Sequence, residues 1–332
     1  MLIVTPNPAV DHTVLLPQLR PGEVIRAGEG ASVAGGKGGN VTRAAACLGV
    51  RATVLAAVPE TGGDHLRALY AAEGFALIAV PVPGRVRTCT ALLEDGGRVT
   101  LINESGARLS PADWDRLMAA LAEVIDEPGS DPIVCSGSLP PGAPEDGYAQ
   151  IVRAGHRAGR EVVVDASTRA LAHALRAGPE LVSPNLSEAE AVIAASRAET
   201  AAAPEVTAAA EPVHDGGDDV PERAGAAAAA LRGLGAAWVV VTAGAAGAAV
   251  AGPGYSRWLA APAVTVRNPI GAGDSFLAGL VTARMAGRDW PNAIRRGLAA
   301  GSASVEQQRA GVLDPARVSQ LDAALDAAPG AD

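Results

Sequence analysis

Asn268-Pro-Ile-Gly-Ala-Gly-Asp-Ser-Phe276 runs straight into the apolar stretch Leu277–Ala286, and it reads as a glycine turn opening a helix. Glycine there permits close approach of a ligand that a Cβ would block. The N–H groups of Gly271, Ala272 and Gly273 would point out of the helix start, where the helix offers them no acceptor, and so could cradle an anion. Asp274 falls in the first turn. Beside a bound phosphate, its carboxylate would be within reach of a hydroxyl attacking that phosphate. Taken alone, the same acid also suits the dipole of an ordinary capped helix start.

Outward from this turn, short apolar runs alternate with helical patterns. Ala52–Val58, Ile133–Ser136, Glu161–Asp165, Leu181–Ser183 and Trp238–Thr242 read as core strands. Val41–Leu48, His65–Glu73, Pro111–Ile125, Gly147–Ala158 and Ala170–Ala177 carry apolar residues at helical spacing. That alternation predicts an α/β fold with a mostly parallel central sheet covered by helices on both faces. Two stretches break the rhythm: 10–34 and 86–104 are strand-like, contain turns such as Glu94-Asp-Gly-Gly97, and are predicted to form a small β-sheet lid. Residues 196–225, rich in Ala, Glu, Pro, Asp and Gly, read as a solvated insertion in an otherwise single domain spanning 1–332.

A chain of 332 residues is long enough to bury a large core, and with 48% hydrophobic but 3% aromatic residues that core must be built from Ala, Val and Leu. The formal net charge of −9 argues against nucleic acid or an anionic membrane surface as the main partner, while leaving room for a local basic pocket. Cys47, Cys89 and Cys135 have neither disulfide-framework nor zinc-ligand spacing. The opening Met-Leu-Ile-Val-Thr-Pro-Asn-Pro lacks the pattern of a secretion signal, and no apolar run reaches membrane-spanning length; a cytoplasmic enzyme is the expectation.

Several other chemistries fit poorly. Gly35-Gly-Lys-Gly-Gly39 is not a Walker loop, because it lacks the Gly-x-x-x-x-Gly-Lys-Ser/Thr spacing. No Gly-x-Gly-x-x-Gly fingerprint follows the first strand. None of the five histidines stands in a recognisable nucleophile context, so a Ser-His-Asp hydrolase finds no support.

Five motifs in order carry a resemblance over nearly the whole chain: Thr5-Pro-Asn-Pro-Ala-Val-Asp11, Gly35-Gly-Lys-Gly-Gly-Asn40-Val-Thr-Arg43, Ser136-Gly-Ser-Leu-Pro-Pro-Gly142, Val182-Ser-Pro-Asn185-Leu-Ser-Glu188 and Gly271-Ala-Gly-Asp274. Together they resemble the ribokinase-like carbohydrate kinases, in the phosphofructokinase B branch, and the early group is similar to members acting on phosphorylated hexoses. The resemblance implies a three-layer α/β/α domain with a β-sheet lid, ATP and Mg2+ as cofactors, a small sugar phosphate as substrate and a homodimer formed through the lid. It implies phosphorylation of a ketohexose phosphate, fructose 1-phosphate first, with tagatose-6-phosphate kinase or 6-phosphofructokinase activity as the alternatives and a catalytically silent sugar-phosphate sensor as the reading from another class.

Residue by residue, the resemblance makes Asp274 the base that takes the proton from a primary hydroxyl, with the amides of Gly271, Ala272 and Gly273 stabilising the transferring phosphate. Asp11, Gly36 and Asn40 match positions that hold sugar hydroxyls, although Asp11 also reads as a turn acid. Arg26 and Arg87 match lid positions on the sugar phosphate, with Lys37 as a further point charge for it. Without the resemblance each arginine reads equally as a solvated strand residue. Ser138 lies in a loop where open sheets bind ligands. Asn185 and Glu188 match an Asn-x-x-Glu element that organises hydrated magnesium, Glu188 through water, and they also read as a plain helix start. Thr242 and Gly244 match a nucleotide-contacting turn.

The chain departs from the branch at three points. Ser183 stands where a lysine is usual, which predicts a missing positive charge near the nucleotide. Asn268-Pro-Ile270 replaces an acidic or serine residue followed by threonine. Gly39 replaces a bulkier residue and predicts looser packing beside the substrate.

Overall fold

The computed structural model describes residues 1–126, 131–166, 168–200 and 219–327. In chain order its elements begin with β1 (Leu2–Val4), β2 (Ala9–Leu16), β3 (Ala31–Gly35), α1 (Gly36–Cys47), β4 (Thr53–Thr61), α2 (Gly63–Ala72), β5 (Ala76–Arg85), β6 (Arg87–Glu94) and β7 (Val99–Asn103). There follow α3 (Pro111–Ile125), β8 (Ile133–Ser136), α4 (Gly147–Arg157), β9 (Val162–Asp165), α5 (Thr168–Leu175), β10 (Leu181–Val182), α6 (Leu186–Thr200) and α7 (Val220–Gly233). The chain then runs through β11 (Trp238–Thr242), β12 (Gly247–Gly252), β13 (Tyr255–Ala260), α8 (Ala272–Met285), α9 (Trp290–Ser304) and α10 (Pro315–Asp326).

Among the described residues the large sheet has nine strands in the order β13-β12-β11-β10-β9-β8-β1-β4-β5. Pairing is parallel from β5 to β11 and antiparallel at β12 and β13. The strands are apolar at successive positions because both faces are covered. Leu2, Val4, Ile133, Cys135, Val162 and Val164 face a core shared with α3 to α7, whereas Met1, Ile3, Val134 and Val163 face the core formed with α1, α2, α8, α9 and α10. β5 contains Pro81 and Pro83, tolerated because it is an edge strand. No helix among the described residues is long and apolar enough to cross a membrane.

A separate four-stranded sheet, β3-β2-β6-β7, matches the expected lid closely. It springs from the carboxyl edge of the large sheet, since β2 follows β1 after only four residues and β3 passes directly into α1. Within it β2 and β6 run parallel, pairing Ala9 with Arg87 and Asp11 with Cys89, so that Asp11 and Arg87 share one face of the lid.

The part of the expected insertion that is described is helical: 196–200 extend α6 and 220–225 open α7, while 201–218 lie outside the described residues. Apolar periodicity does not show these helices, because their sequence lacks a sustained apolar stripe; its alanine content alone favours a helix. α1 also begins earlier than its apolar pattern suggests, at Gly36. A Cβ on Gly38 would run into the Thr5 side chain, and one on Gly39 would lie 2.5 Å from the Ala34 carbonyl. Gly39 therefore does not loosen this region as expected; it allows helix and lid strand to touch.

The same device sets α8 against α9. A Cβ on Gly279 would sit 2.5 Å from the Ala300 Cβ and 3.1 Å from the Arg296 carbonyl, so the helices approach closely only because that position is bare. Gly279→Val should therefore destabilise the fold by about 1 to 3 kcal/mol, the usual range for overpacking a filled core. Urea denaturation compared with the unaltered protein measures this, and an unchanged midpoint would contradict the packing argument.

Candidate active site

At the middle of the large sheet, β1 is flanked by β4 on one side and β8 on the other, so the strand order reverses there. Open α/β sheets leave a crevice outside the carboxyl ends of the strands at such a point. Every residue singled out from the sequence except Arg26 belongs to β2, to the start of α1, α6 or α8, or to a segment beginning at or just beyond the carboxyl end of a large-sheet strand. Arg26 lies on the exposed segment between β2 and β3.

Gly271 begins the turn with φ 78°, in the left-handed region that favours glycine, and α8 starts at the next residue. The preceding Asn268 is buried and pins the turn: its Nδ2 donates to the Gln308 carbonyl at 2.8 Å and its Oδ1 accepts from the Ile270 N–H at 3.0 Å. The departure Asn268-Pro-Ile270 thus retains a turn-forming polar side chain. Ala272 N–H makes a long 3.4 Å contact with the Pro269 carbonyl, and Ser275 N–H already bonds Gly271. Gly273 and Asp274 occupy first-turn positions whose N–H groups have no acceptor within the helix, which leaves them suited to an anion.

Asp274 is 6% exposed. Its Oδ2 accepts a hydrogen bond from Asn40 Nδ2 at 2.9 Å. Burial pushes its carboxyl up to about 7; Asp165 and Asp11 add to the rise, while Lys37 and the Asn40 amide oppose it. A carboxyl held near neutrality can take a proton from an alcohol and later release it.

Asp11 faces this group from the lid. Its Oδ1 accepts from the Gly36 N–H at 2.9 Å, and its pKa is raised chiefly by burial against the opposing effects of that N–H, Arg43, Arg87 and Asn40. Arg87 donates through Nε and Nη2 to the Asn7 carbonyl, at 3.1 and 2.9 Å, and through Nη1 to the Glu104 carbonyl at 3.3 Å. A Cβ on Gly36 would lie 3.7 Å from Arg87 Nη2, so Asp11, Gly36 and Arg87 form one cluster. The buried Asn7 ties that cluster to the loop after β8, donating through Nδ2 to Ser138 Oγ at 3.1 Å and to the Ser105 carbonyl at 3.0 Å.

Lys37 is placed differently from Arg87. Its Nζ donates to both oxygens of Asp165, at 3.2 and 3.1 Å, at the end of β9. Burial would lower its pKa, but Asp165, Glu188 and Asp274 outweigh that and hold the ammonium above its ordinary value. Lys37 thus lies between the Asp274 turn and the start of α6, on the side where Ser183 had predicted a missing positive charge.

At that start, Asn185 caps α6: its Oδ1 accepts from the Glu188 N–H at 2.8 Å, and Glu188 Oε2 accepts from the Asn185 N–H at 3.0 Å. The helix-start reading is therefore realised, with Asn185 exposed. Glu188 has its pKa raised by burial, countered by Lys37 and reinforced by Asp165. Thr242 bridges to Asn185 in parallel, and the exposed Gly244 opens the short 3-10 turn after β11. Asp165, Asn7 and Arg43 were not singled out from the sequence. For Asp165 a signal existed, an acid at the carboxyl end of a parallel strand. Asn7 and Arg43 sit inside recognised motifs, yet only their contacts reveal what they do.

A groove of about 510 Å³ lies elsewhere, between α9 and α10, lined by Arg288, Arg295 and Arg296 among others. These arginines pair with the buried Asp322, and Arg295 also with Asp326, which fastens the helices to each other. The groove's acids are taken up by these arginines and it has no helix-start glycine turn, in contrast to the strand-end crevice.

Residues 5–317 match the pfkB family of carbohydrate kinases. The chain is 32% identical over 328 residues to 1-phosphofructokinase of Escherichia coli (strain K12), covering 98% of this chain and 97% of that one. It is also similar to the phosphofructokinase-2 from Escherichia coli solved in complex with fructose-6-phosphate, with 28% identity, a TM-score of 0.80, and 98% and 99% of the two chains covered. Arabidopsis thaliana ribokinase, complexed with ribose and ATP, shares the fold with a TM-score of 0.68 at 22% identity over 97% of this chain and 98% of that one.

Because folding raises the Asp274 pKa, the native state binds more protons than the unfolded chain between the ordinary aspartate value of about 3.9 and about 7. Stability linked to this group is present below the lower value and is lost as pH rises through the upper one. Asp274→Asn keeps an acceptor for Asn40 and removes the titration. It should raise Tm by a few degrees around pH 8, with the gain shrinking toward pH 4. Calorimetry over that range checks this, and a constant difference at every pH would refute it.

Proposed function

The chain belongs to the pfkB family of carbohydrate kinases, and from that premise we propose that it transfers phosphate from ATP to fructose 1-phosphate, giving fructose 1,6-bisphosphate. The observation that carries this reading is the buried Asp274 at a glycine-opened helix start, facing Asn40 and Asp11, with Arg87 beside Asp11. A kinase for a phosphorylated ketose needs a proton acceptor, donors for the transferring phosphate, groups for sugar hydroxyls and a cation for the phosphate already present. Each has a candidate here.

In this reading Asp11 and Asn40 orient the sugar hydroxyls, and Arg87 holds its phosphate, helped by Arg26 from the exposed lid segment. The primary hydroxyl oxygen attacks the terminal phosphorus of ATP while its proton passes to Asp274, and ADP leaves. The N–H groups at the start of α8 and its dipole stabilise charge on the transferring group. Lys37, held by Asp165 near Asp274, is better placed for that group than for the sugar phosphate. Asn185, Thr242 and Gly244 form the nucleotide side.

Magnesium fits this donor set only as a hydrated ion carried on the nucleotide phosphates. Among the described residues no group of three acidic, histidine or cysteine side chains could hold a metal, whereas Asp165 and Glu188 offer carboxylates that share the neighbourhood of Lys37. When bound, the ion would neutralise phosphate charge.

On one face of the lid Leu15 and Leu101 are 59% and 51% exposed, an apolar pair that a second copy would cover in a homodimer formed through this sheet. Leu101→Lys should shift sedimentation of the purified protein toward monomer; unchanged dimer, or a monomeric starting protein, would reject that interface.

Assays of ADP release with fructose 1-phosphate, fructose 6-phosphate, tagatose 6-phosphate and their unphosphorylated parents test the substrate. Fructose 1-phosphate should give the highest kcat/KM. Asp274→Asn should lower kcat by about 10³-fold or more, on the scale of losing a proton acceptor together with its charge. Arg87→Ala should act mainly on KM for phosphorylated sugars. Turnover confined to unphosphorylated sugars would overturn the substrate, and absence of turnover would favour a sensor.

A further inference from the structure

Arg43 is 4% exposed, and its guanidinium is fully engaged. Nε and Nη2 form a two-pronged pair with Glu73 at 2.6 and 2.8 Å; Nη2 also donates to the Ala34 carbonyl at 2.7 Å. Nη1 donates to Asn40 Oδ1 at 2.9 Å and to the Ala310 carbonyl at 3.2 Å. Glu73 is held in turn by Arg309 at 3.0 Å, and its carboxyl stays below its ordinary pKa because these bonds and charges outweigh burial.

The chemistry of the three groups permits only one orientation of the amide between them. A guanidinium only donates, so the side of Asn40 facing Arg43 must be its oxygen. The amide nitrogen is then directed at Asp274 Oδ2, 2.9 Å away, as a donor. Turned over, the amide would set an acceptor against the carboxylate and a donor against the guanidinium. Both contacts would be repulsive, and both are buried.

We propose that Arg43 is a positioning residue for the phosphoryl transfer: anchored by Glu73, it fixes the polarity of the Asn40 amide and thereby keeps one oxygen of Asp274 occupied and the other oriented toward the incoming hydroxyl. It touches neither sugar nor nucleotide in this scheme. The inference rests on Asp274 being the proton acceptor. Without Arg43 the amide is free to turn and meet Asp274 with its oxygen, which disfavours the ionised base. Asp274 otherwise feels Lys37 of α1, Asp165 of β9 and Asp11 of β2; of these Asp11 is itself held down by the Arg43 charge, and its rise in the variants would oppose the shift expected of Asp274 rather than produce it.

The test is the pH profile of kcat/KM for the purified full-length protein and for Arg43→Met, Arg43→Lys and Glu73→Gln. Arg43→Met should lose at least 10-fold around pH 7 and recover much of that loss toward pH 9, because its acid limb moves to higher pH. Arg43→Lys should behave similarly, since an ammonium lacks the planar fork whose separate edges reach Glu73 and Asn40. Glu73→Gln should give a smaller shift of the same sign. Circular dichroism and Tm identify any variant that fails to fold, and the remaining ones decide. A loss independent of pH, or full activity restored by lysine, would reduce Arg43 to a structural ion pair. Failure of the underlying reading would show separately, as undiminished turnover in Asp274→Asn.

Discussion

Asn40 and Asp274 are joined by one buried hydrogen bond although 234 positions separate them in the chain. To make it, the first turns of α1 and α8 must be drawn together beyond the carboxyl ends of the sheet. Each of these helices is seated against its own neighbour by a bare position: Gly39 lets α1 approach Ala34 of β3, and Gly279 lets α8 approach Ala300 of α9. The contact buries Asp274 deeply enough to raise its carboxyl to about 7, and a group in that range is what proton transfer from an alcohol needs. Packing and acid–base chemistry are thus a single constraint seen at two scales.

The electrostatics around that bond divide into two sides. Toward the lid, Asp11 and Arg87 share one face and are linked through Gly36 and Asn7 to the loop of Ser138. Toward α6, Lys37 is shared among Asp165, Glu188 and Asp274. A cation among three carboxylates both tempers their mutual repulsion and presents positive charge where a phosphate would arrive. The proposed sugar and nucleotide halves meet at Asp274, which feels acids from both. A chain with net charge −9 can in this way present local positive charge to anionic ligands without becoming a general polyanion binder.

Much of this organisation was readable in advance. The alternation of apolar runs with helical patterns gave the parallel sheet, and the ends of β8 and β11 coincide with those expected from the sequence. The lid was visible because strand-like stretches without helical periodicity stand out in an α/β chain. Less could be read where the local signal is weak: the start of α1 is nearly all glycine, and β12, Gly-Ala-Ala-Val-Ala-Gly, is a strand through pairing with its neighbours rather than through propensity. Of the site, the five motifs exposed Asp11, Asn40 and Asp274, but Lys37 was grouped with the arginines by charge alone. Only the approach of β9 shows that it pairs with Asp165.

By itself the sequence determined the layers, the lid, the kinase family and the residue types available for chemistry, because periodicity, turn composition and ordered motifs are local properties of the chain. The tertiary structure alone decided which charges face one another, how far Asp274 is lifted toward neutrality and which way the Asn40 amide points. Those depend on burial and on distances of a few ångströms between segments far apart in sequence, and no local pattern encodes them.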